Sequence, residues 1–470
     1  MNKYHTLIMN AFKKFARGFW LLLSKPEYLV VIIGLIFGVL ILIFTPPFQA
    51  CDEPQHIYTA YRLSQGHILP DKLKGTCGVY IPRSFDKTYE KLKAQSFIGN
   101  VEGKEGSSLI LDSFGIPLKA GNTRFAPSYF QYPPLCYVPQ AIGMAVGHLF
   151  RGPPVLLIYL ARLFNLLAVL AIAFFTIRIT PVLRWTFFLL FLMPMTLFQS
   201  SSVSADALTI ALSFLAAACF FRLALDPAKE SLEKKDFYWL FILALVLSLI
   251  KLPYFLLVLG YFLIPWKKFG SKKRYLITFA VMLLEIAAVV VTWHFLAERY
   301  TTLVQAKIFI PGQHLNWMFQ HPLGFVRLIY NTLRVKRLYL HEMISGVGWY
   351  NVVTPVWLPY AFGISVLAVS VLDKNEIVAK YWQKVLSLLI YLAVAFAIIV
   401  IIHMSWDKLS DTIIVQVNGR YFIPPLGFLF LVLYNKKIKY QKGRLFYLAV
   451  PALALLFSVT TVCAIIQRFY

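Results

Sequence analysis

Long apolar runs alternate with short basic segments along most of the chain. A helix needs about 20 apolar residues to cross a bilayer, and eleven runs approach that length. They predict membrane-spanning helices at 28–45, 155–177, 185–204, 206–224, 237–250, 252–266, 275–297, 356–372, 384–404, 421–434 and 445–466.

Basic residues concentrate in the segments at one end of this predicted bundle. With the N-terminus inside, the inner segments are 1–27, 178–184, 222–236, 267–274, 374–384 and 435–444. They carry more than half of the 46 Lys and Arg residues, as expected of cytoplasmic segments. The two most basic of them, 267–274 and 435–444, fall on the same side only if the 237–266 run crosses twice. The charge pattern therefore favours two short helices there.

Two segments on the opposite side, 46–154 and 298–355, are too long to be plain connectors. The first ends in "YPPLCYVPQAIGMAVGHLF" (132–150), and the second contains "FQHPLGFVRLIYNTLRVKRLYLHEM" (319–343). Both stretches predict helices that lie on the membrane interface. The predicted fold is an all-α integral membrane bundle of about eleven transmembrane helices with two structured outer loops. It comprises a basic cytoplasmic N-terminus (1–27), a first transmembrane helix (28–45), transmembrane helices two to seven (155–297) and a C-terminal transmembrane group (356–470).

Composition agrees with a membrane protein. Hydrophobic residues make up 59% of the chain and charged residues only 14%, against about 25% charged residues in soluble domains. The net charge of +25 does not indicate nucleic acid, because so apolar a chain offers no large solvated basic face. The first apolar run lacks a small-residue cleavage site and is followed by Thr-Pro-Pro, so we expect an anchor and not a cleaved signal. Pairing of Cys51 with Cys77 outside the membrane is left open.

An acidic pair stands where the first apolar run ends, in "FTPPFQACDEPQH". Pro54 disfavours the helical region for Glu53 and itself suits the first turn of a helix. The stretch "PQHIYTAYRLSQG" then predicts an amphipathic helix that stops at Gly66. Asp52 and Glu53 would be held near the membrane surface, either as a general base for an incoming hydroxyl or simply as a helix cap.

A third carboxylate and three cations are expected at the same end of the bundle. Asp206, in "SSSVSADAL", begins a later helix and could orient an acceptor or cap that helix. Arg162 lies inside an apolar span, which is costly enough to suggest a function. Lys251 is predicted at a hairpin tip and Arg420 at a helix start. Together these cations could hold a lipid phosphate, although each alone could snorkel to the headgroups.

Three further residues are candidates for contacts with substrate. His56 lies close to the acidic pair, Asn165 lies one turn after Arg162, and Tyr421 follows Arg420. The remaining histidines have no metal-ligand spacing, and the chain lacks CxxC, HExxH and Gly-rich phosphate motifs. No metal site is predicted from spacing, and the need for a divalent cation (Mg or Mn) stays open.

A set of motifs, in this order, extends over most of the chain: "PPFQACDEPQH", "YPPLCYVPQAIG", "YLARLFN", "MPMTLFQSSSVSADAL", "LIKLPY" and "NGRYFIPPLG". The set resembles an uncharacterised (domain of unknown function) family of bacterial multispanning proteins, which is itself similar to the GT-C glycosyltransferases. That resemblance implies transfer of a sugar, usually with inversion, from a polyprenyl-phosphate donor to an acceptor at the outer leaflet. Asp52-Glu53 matches the position of the GT-C acidic motif and Asp206 that of a second acid. Asp-Glu-Pro in place of Asp-x-Asp puts metal dependence in doubt.

The hypothesis from the sequence is therefore a glycosyltransferase of the plasma membrane, with its active site facing outside. Asp52 would be the base, with Glu53 supporting it or sharing a metal, and Asp206 would orient the acceptor. Its partners would be a polyprenyl-phosphate-sugar, a surface glycan acceptor and membrane lipids, with no nucleic acid. Two alternatives stay open: a transporter or flippase of lipid-linked glycan, for which related halves would be expected, and a non-catalytic component of a surface-polymer assembly.

Overall fold

The computed structural model describes residues 20, 22–97, 104, 107–128, 132–300, 311–335, 339–373, 376–409, 411–435 and 442–470. Most of the predicted basic N-terminus lies outside the described residues. The α-helices are α1 (Pro26–Phe44), α2 (Glu53–Ser64), α3 (Arg83–Lys91), α4 (Ala94–Phe97), α5 (Ser107–Ser113), α6 (Val138–Leu149), α7 (Pro154–Ile179), α8 (Arg184–Phe191), α9 (Pro194–Ser200), α10 (Ala205–Leu225), α11 (Lys234–Ser248), α12 (Lys272–Arg299), α13 (Pro311–Gln320), α14 (Pro322–Val335), α15 (Tyr339–Ser345), α16 (Trp357–Leu372), α17 (Tyr381–Trp406), α18 (Leu426–Leu431) and α19 (Arg444–Phe469). Shorter 3₁₀ segments occupy Pro134–Tyr137, Leu252–Leu263, Trp266–Phe269 and Gly419–Phe422.

Six of the described helices are long and apolar enough to cross a membrane, namely α1, α7, α10, α12, α17 and α19. They confirm a multi-pass, mostly helical membrane protein. The expected number of eleven spanning helices is not confirmed, because the other five apolar runs form shorter elements.

Prolines explain three of these differences. The predicted 185–204 span is divided into α8 and α9, since Pro194 cannot donate to a preceding turn and Met193 before it is extended (φ −58°, ψ 134°). Pro253 stands at the start of the Leu252–Leu263 segment, which is 3₁₀ and not α-helical. The 421–434 run yields only α18, which follows Pro424-Pro425. In the other two runs the helices α11 and α16 have 15 and 16 residues.

The first outer loop contains strands as well as the predicted helices. Helices α2 and α6 form where the sequence predicts them. Between them, β1 (Asp71–Leu73), β2 (Thr76–Pro82) and β3 (Thr123–Pro127) make an antiparallel sheet in the order β1-β2-β3, which the all-α prediction missed. Val79 and Ile81 of β2 are buried against Ile57 and Phe85, in a core separate from that of the main bundle.

Among the described residues, polar contacts join several of the predicted inner segments or the residues next to them. Lys442 pairs with Asp373 at 2.6 Å, and Asp373 also accepts from the Trp185 backbone N–H. Lys268 donates to the Leu223 carbonyl at 2.8 Å. All five cysteines are free, so Cys51 and Cys77 do not pair in this structure.

Candidate functional site

Four charged residues from distant parts of the chain meet in one network at the other end of the bundle. Asp206 contacts Lys251 through Oδ1 at 2.5 Å and Arg420 Nε through Oδ2 at 3.1 Å. Arg420 Nη2 continues to Asp52 Oδ2 at 2.9 Å. This charge network of Asp52, Asp206, Lys251 and Arg420 joins two carboxylates to two cations, as the sequence predicted for one end of the bundle.

Local backbone structure aims both carboxylates into the network. Asp52 occupies the residue before α2 in the left-handed region (φ 63°, ψ 5°), and its side chain makes no capping bond. The non-helical residue is thus Asp52, whereas Glu53 already belongs to the helix, which corrects the expected effect of Pro54. At the start of α10, the capping role falls to Ser204, whose Oγ accepts from the Asp206 backbone N–H at 3.1 Å. Neither carboxylate is used as a helix cap.

Asp52 differs from the rest of the charge network in the solvent exposure of its side chain. Its side chain is 51% exposed, whereas those of Asp206, Lys251 and Arg420 are 7% exposed or less. Partial burial raises the pKa of Asp52, but the Arg420 guanidinium, helped by the Lys251 ammonium, outweighs it and holds that pKa below its ordinary value. Asp52 is therefore an ionised carboxylate that a ligand can reach.

Aromatic side chains enclose the two cations. Lys251 Nζ lies 4.3 Å from the Tyr132 ring centroid and 5.3 Å from that of Tyr421. Arg420 lies 5.2 Å from the Tyr421 ring and donates from Nη1 to the Tyr350 hydroxyl at 3.3 Å. Such faces attract cations without cancelling their charge.

His56 borders the network through the same aromatic layer. Its Nδ1 is hydrogen-bonded to the Tyr137 hydroxyl at 2.9 Å, and its ring packs beside Tyr132. Burial lowers the pKa of His56 to about 4, with Asp52 opposing the shift. The imidazole is consequently neutral at physiological pH.

Glu53 and Arg162 form a separate, fully buried pair. Arg162 Nε and Nη2 each lie 2.7 Å from a Glu53 carboxylate oxygen. Its other donors bond the carbonyls of Leu42, Thr45 and Pro46. Glu53 also accepts from the Val203 backbone N–H at 3.1 Å. All five guanidinium donors are thereby used, so this geometry does not fit the expected role of Arg162 as a phosphate ligand, nor that of Glu53 as a catalytic group.

Asn165 is likewise engaged within the fold. Its amide nitrogen donates to the carbonyls of Gln199, Ser200 and Ser202, and its oxygen accepts from Gln140 at 2.9 Å. It is fully buried, so its position does not fit a contact with substrate. Asn165 instead closes the end of α9 and fixes the approach to Asp206.

A cavity of about 750 Å³ opens beside Asp52. Its lining comes from α2, α3, β3 and the second outer loop and includes aromatic, amide and charged side chains. The lining residues are Asp52, Pro54, Gln55, Tyr58, Arg83, Asp86, Lys87, Tyr89, Glu90, Gln95, Arg124 and Trp349. A volume of this size is typical of small-molecule sites.

The arrangement does not suit a divalent cation. The part of the chain that the structure describes has no group of three or more His, Cys, Asp and Glu side chains placed to hold a metal ion. In the charge network, the Arg420 guanidinium lies between the carboxylates of Asp52 and Asp206. The question of Mg or Mn that the sequence left open therefore finds no matching ligand set among the described residues.

Several residues of the site could not be predicted from the sequence. Tyr132, Tyr137 and Tyr350 contact the network or His56, and Trp349 lines the cavity. The prolines after Tyr132 and the Gly-Val-Gly-Trp-Tyr run around Trp349 mark rigid turns that carry aromatics. These turns predict an ordered outer layer, but they do not predict which residues its aromatic side chains contact.

A family described as "Predicted membrane protein (DUF2142)" has a model that matches residues 35–429. The match extends over most of the chain, which therefore belongs to this family. It includes every residue of the charge network and of the cavity lining. No curated protein and no solved structure matches the chain.

Proposed function

We propose that this member of the DUF2142 predicted membrane proteins is a membrane glycosyltransferase. It would transfer a sugar from a polyprenyl-phosphate donor to a glycan acceptor at the outer face of the membrane. One observation carries the proposal: an exposed, ionised Asp52 stands between a cavity of about 750 Å³ and two buried cations at a membrane-helix end. A base, an acceptor space and a phosphate site are the three parts that such a transfer requires.

Asp52 suits the role of general base. Its ionised carboxylate faces the cavity, where an acceptor hydroxyl could approach. In the proposed step, the hydroxyl oxygen attacks the anomeric carbon of the donor while its proton passes to Asp52. The bond from that carbon to the phosphate oxygen breaks, and the electron pair leaves with the lipid phosphate. A single displacement of this kind inverts the anomeric centre.

Lys251 and Arg420 suit the leaving phosphate. Arg420 donates hydrogen bonds to Asp52 and Tyr350, and its Nε lies 3.1 Å from Asp206 without forming a hydrogen bond, so further N–H groups remain for a phosphate. Fixed cations in a water-poor site stabilise developing negative charge strongly. Proton uptake by Asp52 would also weaken its hold on Arg420, just as negative charge develops on the phosphate. The network therefore couples the two halves of the step.

Asp206 and the Glu53–Arg162 pair would act by positioning. Asp206 holds both cations and lies 4% exposed, so it orients the phosphate site and does not itself meet the acceptor. Arg162 ties Glu53 to the end of α1, and Glu53 reaches Val203 just before α10. This links the backbone that presents Asp52 to the backbone that presents Asp206.

The test is transfer by purified protein in nanodiscs, with a panel of radiolabelled polyprenyl-phosphate sugars and extracted surface glycan. We expect label from one of the donors to appear on the glycan. The exposed Asp112→Asn variant, which removes a carboxylate from the same outer loop, should transfer as well as wild type. Failure with every donor, together with movement of lipid-linked glycan across liposome membranes, would contradict the proposal and support transport.

A further inference from the structure

The side chains that line the cavity beside Asp52 indicate the chemical class of its ligand more directly than the charge network does. Aromatic side chains Tyr58, Tyr89 and Trp349 share it with the amides of Gln55 and Gln95. Flat apolar rings together with amide groups can meet both the apolar faces and the hydroxyls of sugars. The composition is that of a saccharide site, and its volume exceeds what one small ion requires.

The aromatic part of the lining is built rigidly. Trp349 Nε1 donates to the Phe48 carbonyl at 3.1 Å, and the Phe48 ring packs edge-on against Tyr89 at 5.1 Å. Tyr89 in turn donates from its hydroxyl to Gln95 at 2.6 Å. Phe48 itself is fully buried and has a left-handed backbone (φ 71°), a conformation that persists only where the surroundings hold it.

The cations of the lining differ in their partners. Arg124 forms a bidentate pair with Asp86, which neutralises both. Arg83 and Lys87 lie one turn apart on α3, so both project from the same face of the helix. Within the part of the chain that the structure describes, neither has a salt-bridge partner. Glu90 is the one carboxylate of the lining left to oppose them, because Asp86 is paired with Arg124 and Asp52 with Arg420. The lining therefore carries an excess of positive charge beside Arg83 and Lys87.

We propose that this cavity binds a saccharide that carries a negative charge, a carboxylate or a phosphate ester, with the anionic group held by Arg83 and Lys87. The sugar rings lie against Trp349 and Tyr89, and a hydroxyl group of the saccharide reaches Asp52. Identification of this saccharide as the acceptor rests on the proposed function. The binding itself does not.

Equilibrium binding tests the proposal on full-length protein in nanodiscs. The probes are two matched pairs: trigalacturonate with its methyl ester, and maltotriose phosphate with maltotriose. We expect wild type to bind the charged member of at least one pair about fivefold more tightly, the effect of two half-exposed ion contacts. The pair that shows the preference identifies carboxylate or phosphate as the charge.

The variants make the test specific. Arg83→Gln with Lys87→Gln should abolish the preference for the charged probe while the neutral probe binds as before. The control, Lys91→Gln with Lys119→Gln, removes the same charge from outside the cavity and should keep the preference. Equal binding of charged and neutral probes by wild type, no binding of any probe, or a preference that survives in the Arg83 and Lys87 double variant would each overturn the inference.

These outcomes are separable from those of the transfer assay. Transfer to glycan without any preference for charged probes would leave the glycosyltransferase proposal standing and refute the anionic saccharide. Charge-dependent binding without transfer from any donor would support the anionic saccharide and contradict the glycosyltransferase proposal.

Discussion

The side chains of Glu53 and Arg162 lie at 0% exposure. A buried pair contributes little net stability over a well-packed apolar pair, but loss of one partner strands the other charge away from water. The cost of breaking the pair should therefore be large, although neither residue lines the cavity beside Asp52.

We predict that Glu53→Gln lowers the stability of the protein by about 3–5 kcal/mol. Thermal unfolding in detergent measures this as a clear fall in the midpoint. The matched control breaks the exposed pair of Lys91 and Asp112 (42% and 56% exposed), where Asp112→Asn should cost at most about 1 kcal/mol. Equal midpoints for the two variants would contradict a structural role for Glu53.

His56 should make stability depend on pH. Its pKa is about 4 in the folded protein and about 6.5 in an unfolded chain, so between these values the unfolded state binds more protons. Stability therefore rises with pH through this window and is lost as pH falls from 6.5 towards 4, by about 3 kcal/mol at most.

Unfolding midpoints measured from pH 7 to pH 4 test this. His56→Gln should flatten the profile in that window, whereas His67→Gln, at an exposed position of the same loop, should leave it unchanged. A His56→Gln profile as steep as that of wild type would show that another group is responsible.

At the scale of elements, the position of Arg420 depends on a close approach between the backbone at Gly419 and that of α15. A Cβ on Gly419 would lie 2.4 Å from the Tyr339 carbonyl oxygen and 2.6 Å from the Met343 nitrogen. The Gly419 N–H also donates to Glu342 at 2.9 Å. Only glycine lets the Gly419–Phe422 segment lie against α15 and deliver Arg420 to both carboxylates.

Gly419→Ala should therefore displace Arg420 and reduce transfer, with an overpacking cost of about 1–3 kcal/mol in stability. The control is Gly121→Ala, where an added Cβ meets nothing within 4 Å. Donor binding and transfer measured side by side would show the effect. Wild-type values for both in Gly419→Ala would refute the dependence on this contact.

The elements also show what the sequence could and could not predict. Hydropathy located the apolar runs, but the proline effects at Pro194 and Pro253 decide which runs become long helices, and they depend on neighbours that shield the broken backbone. The β2 run, "TCGVYIP", is short and lies among helices. Its residues pair with β3 residues 41 to 49 positions later, and pairing over that distance leaves no local trace in the sequence.

The residues of the site likewise divide into those that the sequence could group and those whose role only the structure shows. Asp52, Asp206, Lys251 and Arg420 could be predicted as one group because the Lys and Arg counts fixed a topology that set them on one side. Arg162, inside an apolar span, and Arg420, at a helix start, were predicted to share the role of phosphate ligand. The structure separates them by their partners: Arg162 is saturated by the buried Glu53 carboxylate and by backbone carbonyls, whereas Arg420 reaches the exposed Asp52 at the cavity. Such partners belong to tertiary structure alone.

For the whole molecule, the described basic segments lie at the end of the bundle opposite the charge network: Asp206 stands in the first turn of α10 and Arg222 in its last turn. Because basic segments of membrane proteins stay in the cytoplasm, the cavity at the opposite end is expected to face outside. Two exposed positions report on this: Asp112 in the first outer loop, and Lys235 at the basic end (66% exposed).

We expect Asp112→Cys to react with a membrane-impermeant maleimide in intact cells and Lys235→Cys to react only after permeabilisation. Both changes are made with Cys463→Ser, since Cys463 is exposed. The opposite pattern of labelling would place the cavity in the cytoplasm and exclude transfer at the outer face.

The most direct test of glycosyl transfer at this site compares wild type with Asp52→Asn in nanodiscs, supplied with the donor that the panel identifies. Two quantities are measured: equilibrium binding of the donor and release of free polyprenyl phosphate in the presence of acceptor. The account predicts that Asp52→Asn still binds the donor but releases lipid phosphate about 10²–10⁴ times more slowly. Equal release by both proteins would contradict Asp52 as the base and with it the proposed mechanism.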